Sequence, residues 1–248
     1  MNLFEVIVTQ PIYNLIVGLY DLIPGGDLGL AIIATTIVVK MILFPLTYKS
    51  LKSQKDLKDV QPKIAEIREK YKLDKERQAK ELMAVYKEHN VNPFASCLPL
   101  LIQLPVFLVL FRLLKSGFAT VNTDLLYSWV SAPEVINQTL FNLVDLSAVS
   151  IPIAALTAVA QYLQMKQTIR RQPPKAVVGK PAAMDESMTA AMNNTMLYFL
   201  PIFTLIIGST SLPGGVTLYW LTTTVITVAM YYFFFDRKSS TDKTKTQD

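Results

Sequence analysis

Apolar residues along this chain gather into long runs separated by charged or polar segments. Residues 28–48, 95–115, 148–167, 193–211 and 214–235 are predominantly apolar, each over about the 20 residues that a helix needs to cross the hydrocarbon core of a bilayer. The pattern predicts five transmembrane helices in an all-α integral membrane protein. The stretch LFEVIVTQPIYNLIVGLYDLI at 3–23 is also long enough to span, but it carries Glu5, Gln10, Pro11, Asn14 and Asp21. On a helix Gln10, Asn14 and Asp21 fall on one side, opposite the aliphatics, which predicts an amphipathic helix lying in the outer interface. The PGGD at 24–27 then turns the chain into the first span.

A different period governs the loop at 49–94. Leu57, Val60, Ile64, Ile67 and Tyr71 recur at alternating steps of three and four, a heptad seam. After a break near KLDKE, where Asp74 can cap a helix start, Ala79, Leu82, Met83 and Tyr86 continue it as far as Asn92-Pro93. The spacing predicts an antiparallel helical hairpin built on Ile64, Ile67, Tyr71, Leu82, Met83 and Tyr86.

Charge orients the runs. The loop at 49–94 holds twelve Lys or Arg and eight Asp or Glu, the loop at 168–192 is basic and rich in Pro and Ala, and 117–147 has no Lys or Arg. Counting Lys166 with the second loop, 21 of the 24 Lys and Arg fall in these two basic loops or the tail. Positive residues stay on the cytoplasmic side, so the N-terminus is expected outside and the C-terminus in the cytoplasm. Arg112 and Lys115, at the outer end of the second run, can snorkel to the interface. The expected organisation is therefore an extracytoplasmic helix at 1–27, a five-span core at 28–235 and a polar, disordered tail at 236–248. Residues 1–27 contain no Lys or Arg, so no basic n-region of a cleavable signal peptide is evident.

Inventory removes several kinds of chemistry. One cysteine, Cys97, and one histidine, His89, supply neither an internal disulfide nor a zinc constellation. The net charge of +5 sits in segments that flank apolar runs rather than in a basic patch with aromatic stacking groups, which argues against specific nucleic-acid binding. No Asp or Glu lies inside a predicted span, unlike proton- or sodium-coupled transporters. There is no Ser or Cys with a plausible base and no glycine-rich phosphate loop. No catalytic site, metal or cofactor is expected.

Against that background Lys40, inside TTIVVKMILFPL, stands out. It lies about eight residues, or roughly 12 Å, from the cytoplasmic end of the first run, about twice the reach of a lysine side chain, so it could snorkel only part of the way. Facing lipid there would cost about 2.5 to 3.5 kcal/mol on insertion scales, so a hydrated, protein-lined setting is cheaper. Other runs offer polar walls: Thr36 one turn before Lys40, Gln103 in LPLLIQLPVF, Gln161 and Gln164, and the face of Thr217, Trp220, Thr224, Thr227 and Tyr231. Singly, such residues are commonly helix-to-helix hydrogen bonds; together they predict a hydrophilic groove.

The strings QPKIAEIREKY, YKEHNVNPFASCLPLLIQLPVFLVLFRLL, LFPLT and LPGGVTLYWLTTTVIT, in this order and spacing, resemble the YidC-type membrane protein insertases, in their minimal five-span form, from about residue 28 to 235. The resemblance implies a protein that places short or weakly polar membrane proteins into the bilayer through a groove open to cytoplasm and lipid, without nucleotide hydrolysis. It implies nascent membrane proteins and the lipid bilayer as partners, with the Sec translocon, the signal recognition particle receptor and the ribosome as candidates beside them. The family's groove cation is usually arginine, and the matching position here is Lys40. Lysine keeps the charge but loses arginine's planar bidentate fork. By matching position Gln103, Trp220 and the last-run threonines become groove candidates, and Cys97 falls at the cytoplasmic entry of the second span as a small packed hydrophobe. Two other classes stay open: a small anion or solute channel with Lys40 in its selectivity ring, and a passive scaffold.

Overall fold

In the computed structural model the described residues are 3–92, 98–116, 121–169 and 183–233. They are mostly helical: α1 Gln10–Leu22, α2 Leu28–Ile42, α3 Phe44–Asp59, α4 Gln61–Lys70, α5 Lys75–Glu88, α6 Leu98–Ser116, α7 Ile151–Ile169, α8 Ala183–Thr210 and α9 Gly214–Tyr231. A π-helical turn, Glu5–Thr9, leads into α1. The loop between α6 and α7 adds what a purely helical reading omits, an antiparallel hairpin of β1 Thr139–Leu140 and β2 Val144–Asp145. Cys97, the basic loop around 170–182 and the tail from 234 lie outside the described residues.

The first predicted span is divided at Leu43, between α2 and α3. Pro45 supplies the reason, because it lacks an N–H and its ring clashes with the carbonyl four residues back. Among the described residues no single helix is long and apolar enough to cross a membrane, whereas Leu28–Ile42 and Phe44–Ser50 are when taken together. The predicted run at 193–211 is the C-terminal part of a longer helix, α8.

The chain forms two compact units. The first contains the segments up to Ile42, Leu104–Gln164 and from Leu200 onward. Its core holds Ile16 and Val17 of α1, Leu28 and Ile32 of α2, Val109, Leu110 and Leu114 of α6, Leu146, and Val216 of α9. Small residues allow the close approaches: a Cβ on Gly215 would stand 2.8 Å from Leu114 Cδ2, and one on Gly208 would stand 3.0 Å from the Ala154 Cβ. The turn before α2 uses Gly25 at φ +85° and Gly26 at φ +59°, values that cost a residue without a Cβ little. Asp27 then caps α2, accepting from Leu30 N–H at 2.8 Å.

Asn14 departs from the polar side assigned to it. It is buried, and α1 is fastened through its polar atoms to the loop between α6 and α7. The Asn14 amide donates to Leu125 O at 2.7 Å, the Tyr13 hydroxyl accepts from Asn122 N–H at 2.8 Å, and the Tyr20 hydroxyl accepts from Asn137 N–H at 2.8 Å. Of the three residues read as one polar side, Gln10 is half-buried and Asp21 alone is exposed.

The second unit runs from Leu43 to Gln103 and from Met165 to Phe199, with α4 packed on α5. Its small core is Val60, Ile64, Val85 and Val91, with Ile67, Leu82 and Tyr86 against it. Asp74 caps α5 by accepting from Arg77 N–H at 3.0 Å. Gln78 ties the helices together, its amide donating to Arg68 O at 2.8 Å. Asn90 at φ +53°, with Val91 N–H donating to Tyr86 O at 2.8 Å, ends α5 in a Schellman turn that folds Val91 onto the core. Two expected seam residues lie elsewhere: Met83 is 63% exposed and Ala79 is exposed. Successive positions on a helix are 100° apart, so with Leu82 turned inward Met83 turns out and Val85 takes its place. Leu57 belongs to α3, not to the α4–α5 pair.

Candidate functional site: Lys40 and the polar helix positions

Lys40 occupies the last turn of α2. Its register follows from the helix: Ile32 and Thr36, one and two turns earlier, are almost fully buried at 1% and 2% exposure, and Lys40 continues their row. Met41 and Ile42 beside it are 70% and 68% exposed. Lys40 is half-buried, and among the described residues no charged or hydrogen-bonding group acts on its ammonium.

Most of the other predicted positions direct their polar atoms inward. The Thr36 hydroxyl donates to Ile32 O at 2.6 Å, the Thr217 hydroxyl to Gly214 O at 2.9 Å and the Thr224 hydroxyl to Trp220 O at 2.8 Å. All three threonines are buried, and a hydroxyl bonded to its own helix can face apolar surroundings at low cost. Thr217 also sits in a helix contact, since the Thr157 hydroxyl of α7 reaches its carbonyl at 3.2 Å. Trp220 is half-buried, edge-on to Phe107 of α6 with ring centroids 6.0 Å apart. Gln164 is half-buried on α7. Gln103, half-buried on α6, belongs to the second unit.

Gln161 is different. It is 3% exposed, and its side-chain oxygen has no protein partner. Thr35, 2% exposed, and Thr204, 0% exposed, share that state through their hydroxyl oxygens. Buried polar atoms normally find partners, so α2, α7 and α8 each hold an acceptor that water or a ligand could satisfy. Thr35 and Thr204 escaped the sequence reading. Thr35 adjoins Thr36 in the same TT pair, but nothing in the pair tells which hydroxyl bonds back to the helix.

In the second unit Ile64 is buried, Ile67, Leu82 and Tyr86 pack on it, and Tyr71 is half-buried. The Tyr71 ring lies 5.5 Å from Lys70 Nζ and 5.2 Å from the Arg77 guanidinium. Arg112 and Lys115 are exposed, with Lys115 Nζ 5.4 Å from the Phe111 ring centre.

The chain has curated relatives. A protein named Membrane protein insertase YidC from Fusobacterium nucleatum subsp. nucleatum is 34% identical over 197 residues, 79% of this chain and 80% of that protein. Proteins of the same name from Pelobacter propionicus and Mesorhizobium japonicum are each 34% identical, over 197 and 224 residues, or 79% and 86% of this chain. The chain spans only 33% of the length of either of these two. The model of the 60Kd inner membrane protein family matches residues 19–241, a stretch holding Lys40 and every other candidate position above, and the chain belongs to that family.

Proposed function

We propose that this protein is a membrane protein insertase. In this reading it is a five-span protein of the plasma membrane, N-terminus outside and C-terminus in the cytoplasm, that helps membrane proteins insert, fold and assemble through a cationic hydrophilic groove. The observation that carries the reading is Lys40, half-buried near the end of an apolar helix with no counter-ion among the described residues. A cation so placed is expensive unless something polar visits it. An acidic or polar flank of an incoming chain is such a visitor. The unpartnered acceptors of Thr35, Gln161 and Thr204 suit the same wet interior.

The mechanism needs no nucleotide. A substrate's polar flank enters the groove beside Lys40 and Gln164, which shortens its path through hydrocarbon. Its apolar segment moves into lipid, where burial at about 25 cal/mol per Å² supplies the drive. A membrane potential biases acidic flanks outward by about 2.3 kcal/mol per charge per 100 mV. The α4–α5 hairpin serves as a cytoplasmic docking element, with the Sec translocon, the signal recognition particle receptor and the ribosome as candidate partners. The test is insertion of a short single-span substrate into liposomes containing only the purified protein, with conductance recorded in planar bilayers. Insertion without selective current is expected; a selective anion current without insertion would favour the channel reading and overturn this one.

A further inference from the structure

The outer hairpin places a bulky residue where asparagine or glycine is usual. Phe141 and Asn142 have φ of +53° and +55°, and Leu143 N–H donates to Leu140 O at 3.0 Å, the geometry of a type I′ turn. Asn142 suits its place. Phe141 does not, because a left-handed backbone crowds its Cβ. The conformation is held from outside: Phe141 N–H donates to Asp27 Oδ2, the second oxygen of the carboxylate that caps α2. The strained ring is not used for internal packing, since Phe141 is 61% exposed and Leu143 is 85% exposed.

The base of the hairpin is bonded to helix ends. Leu140 fills the space above Gly29, where a Cβ would stand 2.5 Å from Leu140 Cδ1. Gly214 N–H donates to Ala148 O at 2.7 Å and Gly215 N–H to Leu146 O at 3.0 Å, and the chain then enters α7 at Ile151, itself 63% exposed. The turn is thus fixed to the starts of α2 and α9 and runs directly into the start of α7, the helices read above as spans. At the base, Asp145 Oδ1 accepts from the Ser147 hydroxyl at 2.6 Å and amide at 2.8 Å, which holds its carboxyl below the usual range and ionised. Asp145 is two residues from Leu143, about 7 Å along an extended strand. An apolar tip of that height matches the roughly 5–10 Å to which interfacial elements sink.

We propose that the Phe141–Leu143 turn is a lipid-docking element whose apolar side chains seat in the outer-leaflet interface of the phospholipid bilayer. Zwitterionic headgroups are its surface, because residues 117–147 contain no Lys or Arg while Asp124, Glu134 and Asp145 would repel acidic ones. This rests on the five-span reading. The test uses full-length protein with Cys97→Ser and Leu143→Cys, labelled there with an environment-sensitive fluorophore and reconstituted in phosphatidylcholine vesicles. The expected result is quenching by a spin label at acyl carbon 5 several-fold stronger than by one at carbon 12, little quenching by aqueous iodide, and no gain from added phosphatidylglycerol. Adding Phe141→Asn, which suits the left-handed backbone better, is expected to reduce the lipid quenching at least two-fold. A probe quenched by iodide, a probe shielded from both quenchers as under a protein partner, or an unchanged signal in the Asn variant would each overturn the proposal. Alkaline carbonate extraction of the same vesicles separates the two readings: release of the protein defeats the span reading, whereas a retained protein with an iodide-quenched probe defeats the docking turn alone.

Discussion

Asn14 of α1 and Tyr127 of the loop between α6 and α7 are joined across 113 residues of chain by a hydrogen bond of 2.6 Å from the Tyr127 N–H to Asn14 Oδ1. The same side chain donates to Leu125 O. Asn14→Leu keeps the branched shape and strands both loop groups. An unsatisfied buried group costs about 1–3 kcal/mol; because both bonds are only partly buried, the variant is expected to lose roughly 2–4 kcal/mol of stability, toward the low end for two groups. Thermal unfolding in detergent measures this, and a melting point equal to wild type would refute the clamp.

Two glycines make opposite predictions. Nothing lies within 4 Å of a Cβ built on Gly18, so Gly18→Ala is expected to stabilise α1 by up to about 1 kcal/mol through helix propensity. On Gly29 the same methyl meets Leu140, including its Cα at 3.1 Å. Gly29→Ala is therefore expected to displace the β1–β2 hairpin and destabilise by about 1–3 kcal/mol. Identical shifts for the two variants would disprove the distinction.

In the α4–α5 hairpin, Ile64→Asp buries a charge in a core of four residues and should open the hairpin. Met83→Asp lies on the exposed side and should leave it closed. Hydrogen exchange of the α5 amides reads the difference: exchange in the first variant is expected to rise at least tenfold. If the hairpin docks substrates or partners, insertion should fall for the Ile64 variant alone.

Lys40 separates a groove cation from a snorkelling one. A groove cation predicts that Lys40→Glu suppresses insertion of an acidic-tailed substrate at least tenfold, while Lys40→Arg is neutral or better through bidentate hydrogen bonding. Lys40→Leu should fold at least as well as wild type yet lose activity. Proteoliposomes with equal amounts of each variant supply the measurement, using tails of graded acidity. Full activity of both the Leu and Glu variants would rule out the assignment.

Orientation is checked with two exposed positions. In a Cys97→Ser background, Ser131→Cys should react with an impermeant maleimide from outside intact cells and Lys80→Cys only after lysis. Labelling of both from one side would contradict the proposed topology.

By itself the sequence determined what is local or periodic. Runs of apolar residues about 20 long and a heptad seam were enough for a helical protein, because helix hydrogen bonds close within four residues. The face of α4 was legible from Val60, Ile64 and Ile67, and the start of α5 from Asp74, since a cap is satisfied three residues away. The break after α2 was not read: hydropathy carried the run at 28–48 through Pro45, and the division at Leu43 showed only in the structure.

Only the tertiary structure decided which polar atoms meet. Asn14 looked like one member of a wet face because its partners, Leu125 and Tyr127, lie more than a hundred residues away, and no spacing rule reaches that far. Thr36, Thr217 and Thr224 read as groove walls, yet their hydroxyls return to their own helices, while Thr35 and Gln161 hold the unpartnered oxygens. Leu82 and Met83 were equivalent until α4 packed against one of them. The left-handed Phe141 was invisible, because the Asp27 carboxylate and the helix starts around the hairpin impose a conformation that phenylalanine does not choose locally.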